Sequence, residues 1–89
     1  MIINLKQYGA SLAARSLAQD ICQNLMDSEI ILDFKGIESV TPSFCHELLY
    51  LLTKEKNCKV RILHSTEMIT FQLKKALLVL RDGQYAAAA

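Results

Sequence analysis

Apolar residues along this chain follow two kinds of pattern, short runs and longer stretches that repeat every three or four positions. The short runs are typical of β-strands and occur at residues 2–5, 30–34 and 60–63. The middle run, IILDF, is continuous and rich in branched side chains, which predicts a strand covered on both faces. The last run alternates more, which favours a strand nearer the edge of a sheet.

The longer stretches predict three helices, over residues 11–26, 43–55 and 67–80. In each of them apolar side chains recur at helical spacing and leave polar residues on the opposite face. Leu49, Tyr50 and Phe71 lie partly off these apolar stripes. They form either a fuller wrapping of the core or an exposed protein-binding patch, and the pattern leaves both alternatives open.

The predicted elements alternate as β-α-β-α-β-α with short connections. This order predicts a small α/β fold, with a mostly parallel three-stranded sheet and about three helices. We expect one domain over residues 1–82. Residues 83–89 are a low-complexity tail, for which a helical extension, a frayed end and added sequence remain alternatives. The edges of so short a sheet need cover, and a second copy of the chain, giving a homodimer, is one candidate.

Composition and charge exclude several classes of protein. The 89 residues are enough for one core, and 52% of them are apolar. The net charge is +1 and the lysines are scattered among acidic residues, which argues against a nucleic-acid binder. No segment has the roughly 18 apolar residues of a membrane span, and no signal peptide is visible. We therefore expect a cytoplasmic protein with no membrane contact.

Candidate catalytic chemistry is sparse. Cys22, Cys45 and Cys58 show neither CxxC spacing nor a zinc-finger pattern, so we expect buried reduced thiols and no metal site. Cys45 and His46 are adjacent on a predicted helix and point about 100° apart, so they do not readily pair. A thiol enzyme would need a distant partner such as His64, and it is the weakest hypothesis. The isolated glycines form no phosphate-binding loop, so we expect no cofactor.

The segment Thr41-Pro42-Ser43 has the composition of a helix start. Proline suits the first helical position, and either Thr41 or Ser43 could supply the N-capping oxygen. Asp33, at the end of a predicted strand, either caps the following turn or acts as a general base, and capping is the preferred interpretation. Gly36 predicts a turn that needs a positive φ or a close backbone approach.

The segment IILDFKGIESVTPSFCHELLYLL resembles the central signature of a STAS-like family of domains of unknown function, L-D-F-x-G-V-x-x-[IV]-[TS]-x-S-F-x-x-E-L. The similarity extends over about residues 8 to 80 and is most specific in this segment. STAS domains are small α/β modules named for sulphate transporters and anti-sigma-factor antagonists. The matching residues are Leu32, Asp33, Phe34, Gly36, Ile37, Val40, Thr41, Ser43, Phe44, Glu47 and Leu48.

The resemblance implies a non-enzymatic regulatory module of the bacterial partner-switching type, which binds a histidine-kinase-like ATPase. Anti-sigma-factor antagonists are regulated by phosphorylation of a serine in a D-S-S-G turn at this location. Here Thr41 stands at the aspartate position, Pro42 at that of the phosphorylated serine and Ser43 at the second serine. The expected partner-binding residues are Thr41, Pro42, Ser43, Phe44 and Glu47, and Ser43 or Thr41 is the expected phosphorylation site.

Overall fold

A computed structural model describes residues 1–82 of the chain. The low-complexity tail predicted for residues 83–89 lies outside this described part. A 3-10 helix at Leu5–Tyr8 follows the first strand, and a π-helical turn at Leu51–Glu55 extends the second helix. The strands and α-helices in chain order are β1 (Ile2–Asn4), β2 (Ser11–Leu12), α1 (Arg15–Cys22), β3 (Glu29–Asp33), β4 (Ser39–Val40), α2 (Pro42–Tyr50), β5 (Lys59–Leu63) and α3 (Glu67–Asp82).

The main sheet has three parallel strands in the order β1-β3-β5, which confirms the predicted α/β fold. Its central strand, β3, pairs Ile31 with Ile2 of β1 and with Arg61 of β5. Because spatial order follows chain order, right-handed crossovers, the general rule for parallel strands, place the connecting helices on one face of the sheet. The position of β5 at the edge agrees with the alternation of its sequence.

The core lies between the sheet and a single layer of helices. α2 packs between α1 and α3. From β3, the side chains of Ile30 and Leu32 point toward these helices and are fully buried. The largest fully buried side chains are Leu5, Leu12, Ile30, Leu32, Phe34, Phe44, Leu48, Leu49, Leu52 and Ile69.

The opposite face of the sheet is open, and the expectation that β3 is covered on both faces is wrong for the described residues. Ile31, on that face, is only half-buried, and its neighbour Ile2 is 57% exposed. Leu63 of β5 is also exposed. The physical reason is that both crossovers place their helices on the same side, so no described element packs against the other side.

The first helix begins later than its apolar pattern predicts, at Arg15 instead of Ser11. Ser11 and Leu12 form strand β2, which pairs in parallel with Ser39 and Val40 of β4 as a second small sheet. This pairing extends beyond the two strands, because the backbone N–H of Thr41 donates to the carbonyl of Leu12 at 3.0 Å. Backbone pairing with a distant segment therefore overrides a local helical pattern.

The second helix changes its hydrogen-bonding pattern near its end. After Tyr50 the backbone continues as the π-helical turn, and the N–H of Lys56 donates to the carbonyl of Leu51 at 2.9 Å. The hydroxyl of Thr53 donates to the carbonyl of Leu49 at 2.6 Å, which competes for a helical acceptor. The third helix begins at Glu67, where the hydroxyl of Thr66 accepts from the N–H of Ile69. None of the helices within residues 1–82 is both long and apolar enough to cross a membrane.

Neighbouring isoleucines of β3 offer a test of this one-sided core. We expect Ile30→Val to lower the free energy of unfolding by about 0.5–1.5 kcal/mol, because it removes a fully buried methyl group. The same change at Ile31, on the open face, should cost less than about 0.5 kcal/mol. Urea denaturation of both variants at two protein concentrations measures the difference. If Ile31→Val destabilises the protein as much as Ile30→Val does, and the loss depends on protein concentration, the open face is covered in solution.

Candidate functional site

Thr41 is the N-cap of α2, which decides between the two capping residues that the sequence left open. Its Oγ1 accepts a hydrogen bond from the N–H of Phe44 at 3.1 Å. The same hydroxyl donates to the carbonyl of Ala13 at 2.7 Å. Pro42 occupies the first turn of the helix, as predicted. The Thr41 hydroxyl therefore fixes the start of α2 to the segment that precedes α1.

The other expected contact residues differ in their accessibility. Pro42 and Ser43 are exposed at the beginning of α2. Glu47 is half-buried, and its Oε2 accepts from Nε2 of Gln19 at 3.1 Å, so it links α2 to α1. The expectation that the Phe44 side chain contacts a partner is corrected, because that side chain is fully buried in the core. The accessible part of the predicted site is the pair Pro42 and Ser43.

A shallow groove of about 160 Å³ runs from this turn between α2 and α3. Burial and the nearby positive charge of Arg15 lower the pKa of His46, so the neutral imidazole is favoured there. Pro42 joins the groove to the exposed turn. The groove is lined by Pro42, His46, Gln72, Lys75, Ala76 and Val79.

The exposed face of α3 adjoins this groove. Phe71 is 62% exposed, and the ammonium group of Lys75 lies 5.8 Å from the centre of its ring, within the range of a cation–π contact. Met68 and Leu78 lie on the same face and are also exposed. Of the three side chains whose role the sequence left open, Leu49 is buried and Tyr50 half-buried, so Phe71 alone is largely exposed.

A second cluster of polar groups lies where β3 and β5 end. Oδ1 of Asp33 accepts from the backbone N–H of Lys35 at 3.0 Å, which is the predicted capping role. The same oxygen lies 2.9 Å from Nδ1 of His64. These hydrogen bonds, first that of Lys35 and then that of His64, hold the pKa of Asp33 below its ordinary value. Gly36, in the turn that follows, has the positive φ that its sequence position predicts, +83°.

Cys45, the cysteine adjacent to a histidine, is in a poor environment for a nucleophile. Cys45 is fully buried, and burial raises the pKa of its thiol to about 11, so little thiolate exists at neutral pH. His64 lies against Asp33 at the sheet edge, while His46 lines the groove between α2 and α3. Within the part of the chain that the structure describes, no group of three or more histidine, cysteine or acidic residues could hold a metal ion.

Two features of the site were missed by sequence reasoning. One is the hydrogen bond from Thr41 to Ala13, which depends on the pairing of β2 with β4 and has no local signal. The other is the pair formed by Asp33 and His64. Its signal was present, because both residues come at the ends of predicted parallel strands, and the carboxyl ends of parallel strands meet at one edge.

Comparison with protein families finds a relationship. The model of a family described as a STAS-like domain of unknown function (DUF4325) matches residues 13–67. This range begins just before α1, includes the whole of β3, β4, α2 and β5, and ends at the start of α3. Searches of curated proteins and of solved structures return no match.

The capping role of Thr41 predicts unequal effects of two similar substitutions. Thr41→Ala removes the cap and the bond to Ala13, so the free energy of unfolding should fall by about 1–2 kcal/mol. Ser43→Ala, in the exposed first turn, should change it by less than about 0.5 kcal/mol. Thr41→Ser keeps the hydroxyl and should restore most of the loss. Chemical denaturation measures all three, and a larger loss at Ser43 than at Thr41 would contradict the assignment.

The lowered pKa of Asp33 predicts how stability depends on pH. The Asp33 carboxyl has a pKa of about 3.9 in the unfolded chain and a lower pKa in the folded protein. Asp33 therefore stabilises the fold at pH values above the unfolded-state pKa. The stabilisation is lost as the pH falls through the folded-state pKa. The stability difference between the wild type and Asp33→Asn should therefore be constant at neutral pH and shrink below about pH 4.

Thermal unfolding between pH 7 and pH 2.5 provides the measurement. The lowered pKa of His46 also reduces stability once the pH falls below the ordinary pKa of histidine. This loss occurs in the wild type and in Asp33→Asn alike, so it cancels in the difference between them. Asp20→Asn, an exposed carboxylate of α1, is the matched control. A difference between the wild type and Asp33→Asn that stays constant down to the lowest pH would refute the role of Asp33.

Proposed function

Because this chain belongs to the family of STAS-like domains of unknown function, we propose that it is a non-enzymatic regulatory module that binds another protein. The contact surface consists of the exposed turn at Pro42 and Ser43 together with the groove between α2 and α3. We propose that it acts in the cytoplasm. The chemistry of Cys45 supports a binding role over a thiol enzyme, since a buried thiol with a raised pKa is a poor nucleophile.

One observation carries this proposal, the fixing of the exposed turn by Thr41. The hydroxyl of Thr41 bonds to Ala13 on one side and to Phe44 on the other, so the backbone on which the accessible residues lie is anchored at its start. A surface that is already ordered loses little conformational entropy when a partner binds. The buried side chain of Phe44 contributes to the same rigidity from below.

The partner class that we propose is a histidine-kinase-like ATPase, by analogy with anti-sigma-factor antagonists. Ser43 is the better candidate for a phosphorylated residue, because the hydroxyl of Thr41 is used twice within the protein. A phosphate on Ser43 would lie at the N-terminus of α2, where the helix dipole favours negative charge. Its effect would therefore fall on the contact with the partner and not on the fold.

A second candidate function is self-association as a homodimer. The exposed face of α3, with Met68, Phe71 and Leu78, favours it, because so many apolar groups on one helix face commonly mark an interface. The edge strand β5 is a less suitable surface. Lys59 and Arg61 lie along it, and such charges discourage pairing of edge strands.

Substituting the exposed serine tests the proposed contact. Ser43→Glu should reduce recovery of the partner in a pull-down from the native host's lysate by at least about tenfold, because it puts negative charge in the contact surface. Its unfolding midpoint should stay the same or rise slightly, since an acid in the first helical turn is favourable by about 0.3–1 kcal/mol. The pull-down is made with and without ATP and read by mass spectrometry.

The matched control is Ser28→Glu, which adds the same charge at an exposed serine that precedes β3. It should leave recovery unchanged. If both variants lose the partner, the turn at Pro42 and Ser43 is not specifically part of the contact surface. If only the domain itself is recovered, and its mass in solution rises with concentration, the homodimer replaces the proposed function. In that case Phe71→Glu should return the mass to that of the monomer.

A further inference from the structure

Asp33 and His64 form a pair at the carboxyl edge of the main sheet. Asp33 is the last residue of β3, and His64 directly follows Leu63, its partner in β5. Their side chains meet through Oδ1 of Asp33 and Nδ1 of His64, at 2.9 Å. In open parallel sheets this edge is where ligands and reacting groups collect. Neither residue has a part in the proposed contact at Ser43.

The contact with Asp33 determines which nitrogen of His64 carries a proton. An ionised carboxylate only accepts hydrogen bonds, so Nδ1 must be the donor. In the neutral ring Nε2 then keeps its lone pair. The imidazole side chain is 58% exposed, and its contact with Asp33 is made through Nδ1. His64 therefore presents a nitrogen with a lone pair on a largely exposed ring that a carboxylate holds in place.

The backbone of His64 has an uncommon conformation. Its φ is +57°, in the left-handed region that histidine and asparagine adopt more often than most residues other than glycine, and Asn57 has the same φ. Such a conformation costs free energy and persists where the surrounding structure enforces it, and it occurs often at functional sites. In His64 this conformation accompanies the contact of the side chain with Asp33.

We propose that His64 is a modification site that accepts a phosphoryl group on Nε2. The lone pair of Nε2 attacks the phosphorus of a donor with a good leaving group, such as the γ-phosphate of a nucleoside triphosphate. The new N–P bond forms while the bond to the leaving oxygen breaks, and the nucleoside diphosphate departs with that electron pair. The proton on Nδ1 stays in place, and the carboxylate of Asp33 stabilises the positive charge that develops on the ring.

The surroundings suit an anionic donor. The charge of Lys35 acts on Asp33, so this lysine lies close to the pair. The side chain of Lys6 reaches the same turn, because a Cβ on Gly36 would lie 3.2 Å from its Cδ. Two lysines thus stand near the loop between β3 and β4, where they would attract phosphate. The site is distinct from the serine at the start of α2.

Phosphoramidate, a small phosphoryl donor that loses ammonia, tests the proposal on the isolated chain. We expect an adduct on Nε2 of His64 to form at least about tenfold faster than any adduct on His46, which is half-buried in the groove. Asp33→Asn should slow the reaction at His64 on the order of tenfold, because an amide does not fix the tautomer or balance the developing charge. Phosphorus NMR distinguishes Nε2 from Nδ1 adducts, and mass spectrometry identifies the residue.

Two comparisons keep the result decisive. His64→Asn is the negative control, because asparagine also tolerates left-handed backbone, and it should abolish the adduct at this position while leaving that on His46. The rate ratio of the two histidines in the wild type needs no variant at all. Equal rates at His64 and His46, or an unchanged rate in a folded Asp33→Asn variant, would overturn the proposal. Because no partner takes part, the outcome is independent of the proposed protein contact.

Discussion

The parallel pairing of β3 with a strand on each side is the constraint on which the rest of this structure depends. Parallel strands need long crossovers, so each pairing requires a helix between the strands. With β1 and β5 on opposite sides of β3, the right-handed crossovers that parallel strands almost always have place both helices on the same face. Successive side chains of β3 point to opposite faces of the sheet. The helices therefore bury one set of these side chains and leave the other set on the open face.

The same constraint collects the polar chemistry at one edge. All three strands run in the same direction, so the residues at their carboxyl ends become neighbours although they are far apart in the chain. Asp33 and His64 meet for this reason, 31 residues apart. α2 begins directly after β4 of the second small sheet, so its start is positioned by a separate strand pairing. In the main sheet, parallel pairing thus brings distant polar groups together without a dedicated loop.

Much of this architecture could be predicted from the sequence, because the apolar runs and helical stripes are strong local signals. The three main strands, a helix start at Thr41-Pro42-Ser43 and the turn at Gly36 all follow from residue type and spacing, whereas the choice of Thr41 over Ser43 as the cap comes from the structure. The strand β2 could not be predicted, since two residues of ordinary composition become a strand only by pairing with β4. The exposure of Ile2 could not be predicted either. An apolar run indicates a strand, but which faces are covered depends on where the helices pack.

The site was predictable only in part, for a related reason. A motif identifies residue types, but whether a side chain faces the core or the solvent is decided by the helix that carries it. Phe44 has the character of a binding residue and is buried, whereas its neighbour Ser43 is exposed on the same turn. The role of Thr41 likewise depends on Ala13, which lies before α1 and carries no motif of its own.

The exposed residues Ser43 and His64 differ in how the protein would accommodate a negative charge on them. At Ser43 a phosphate would face the N-terminus of α2, whose dipole stabilises it, so the modified state would be durable. A phosphate on Nε2 of His64 would lie across the imidazole ring from the carboxylate of Asp33, which contacts Nδ1. Only the ring would separate the two negative groups. Repulsion between them weakens the modified state relative to the serine ester. The geometry therefore suits Ser43 to a stable change of binding, and His64 to a phosphoryl group that is passed on or lost quickly.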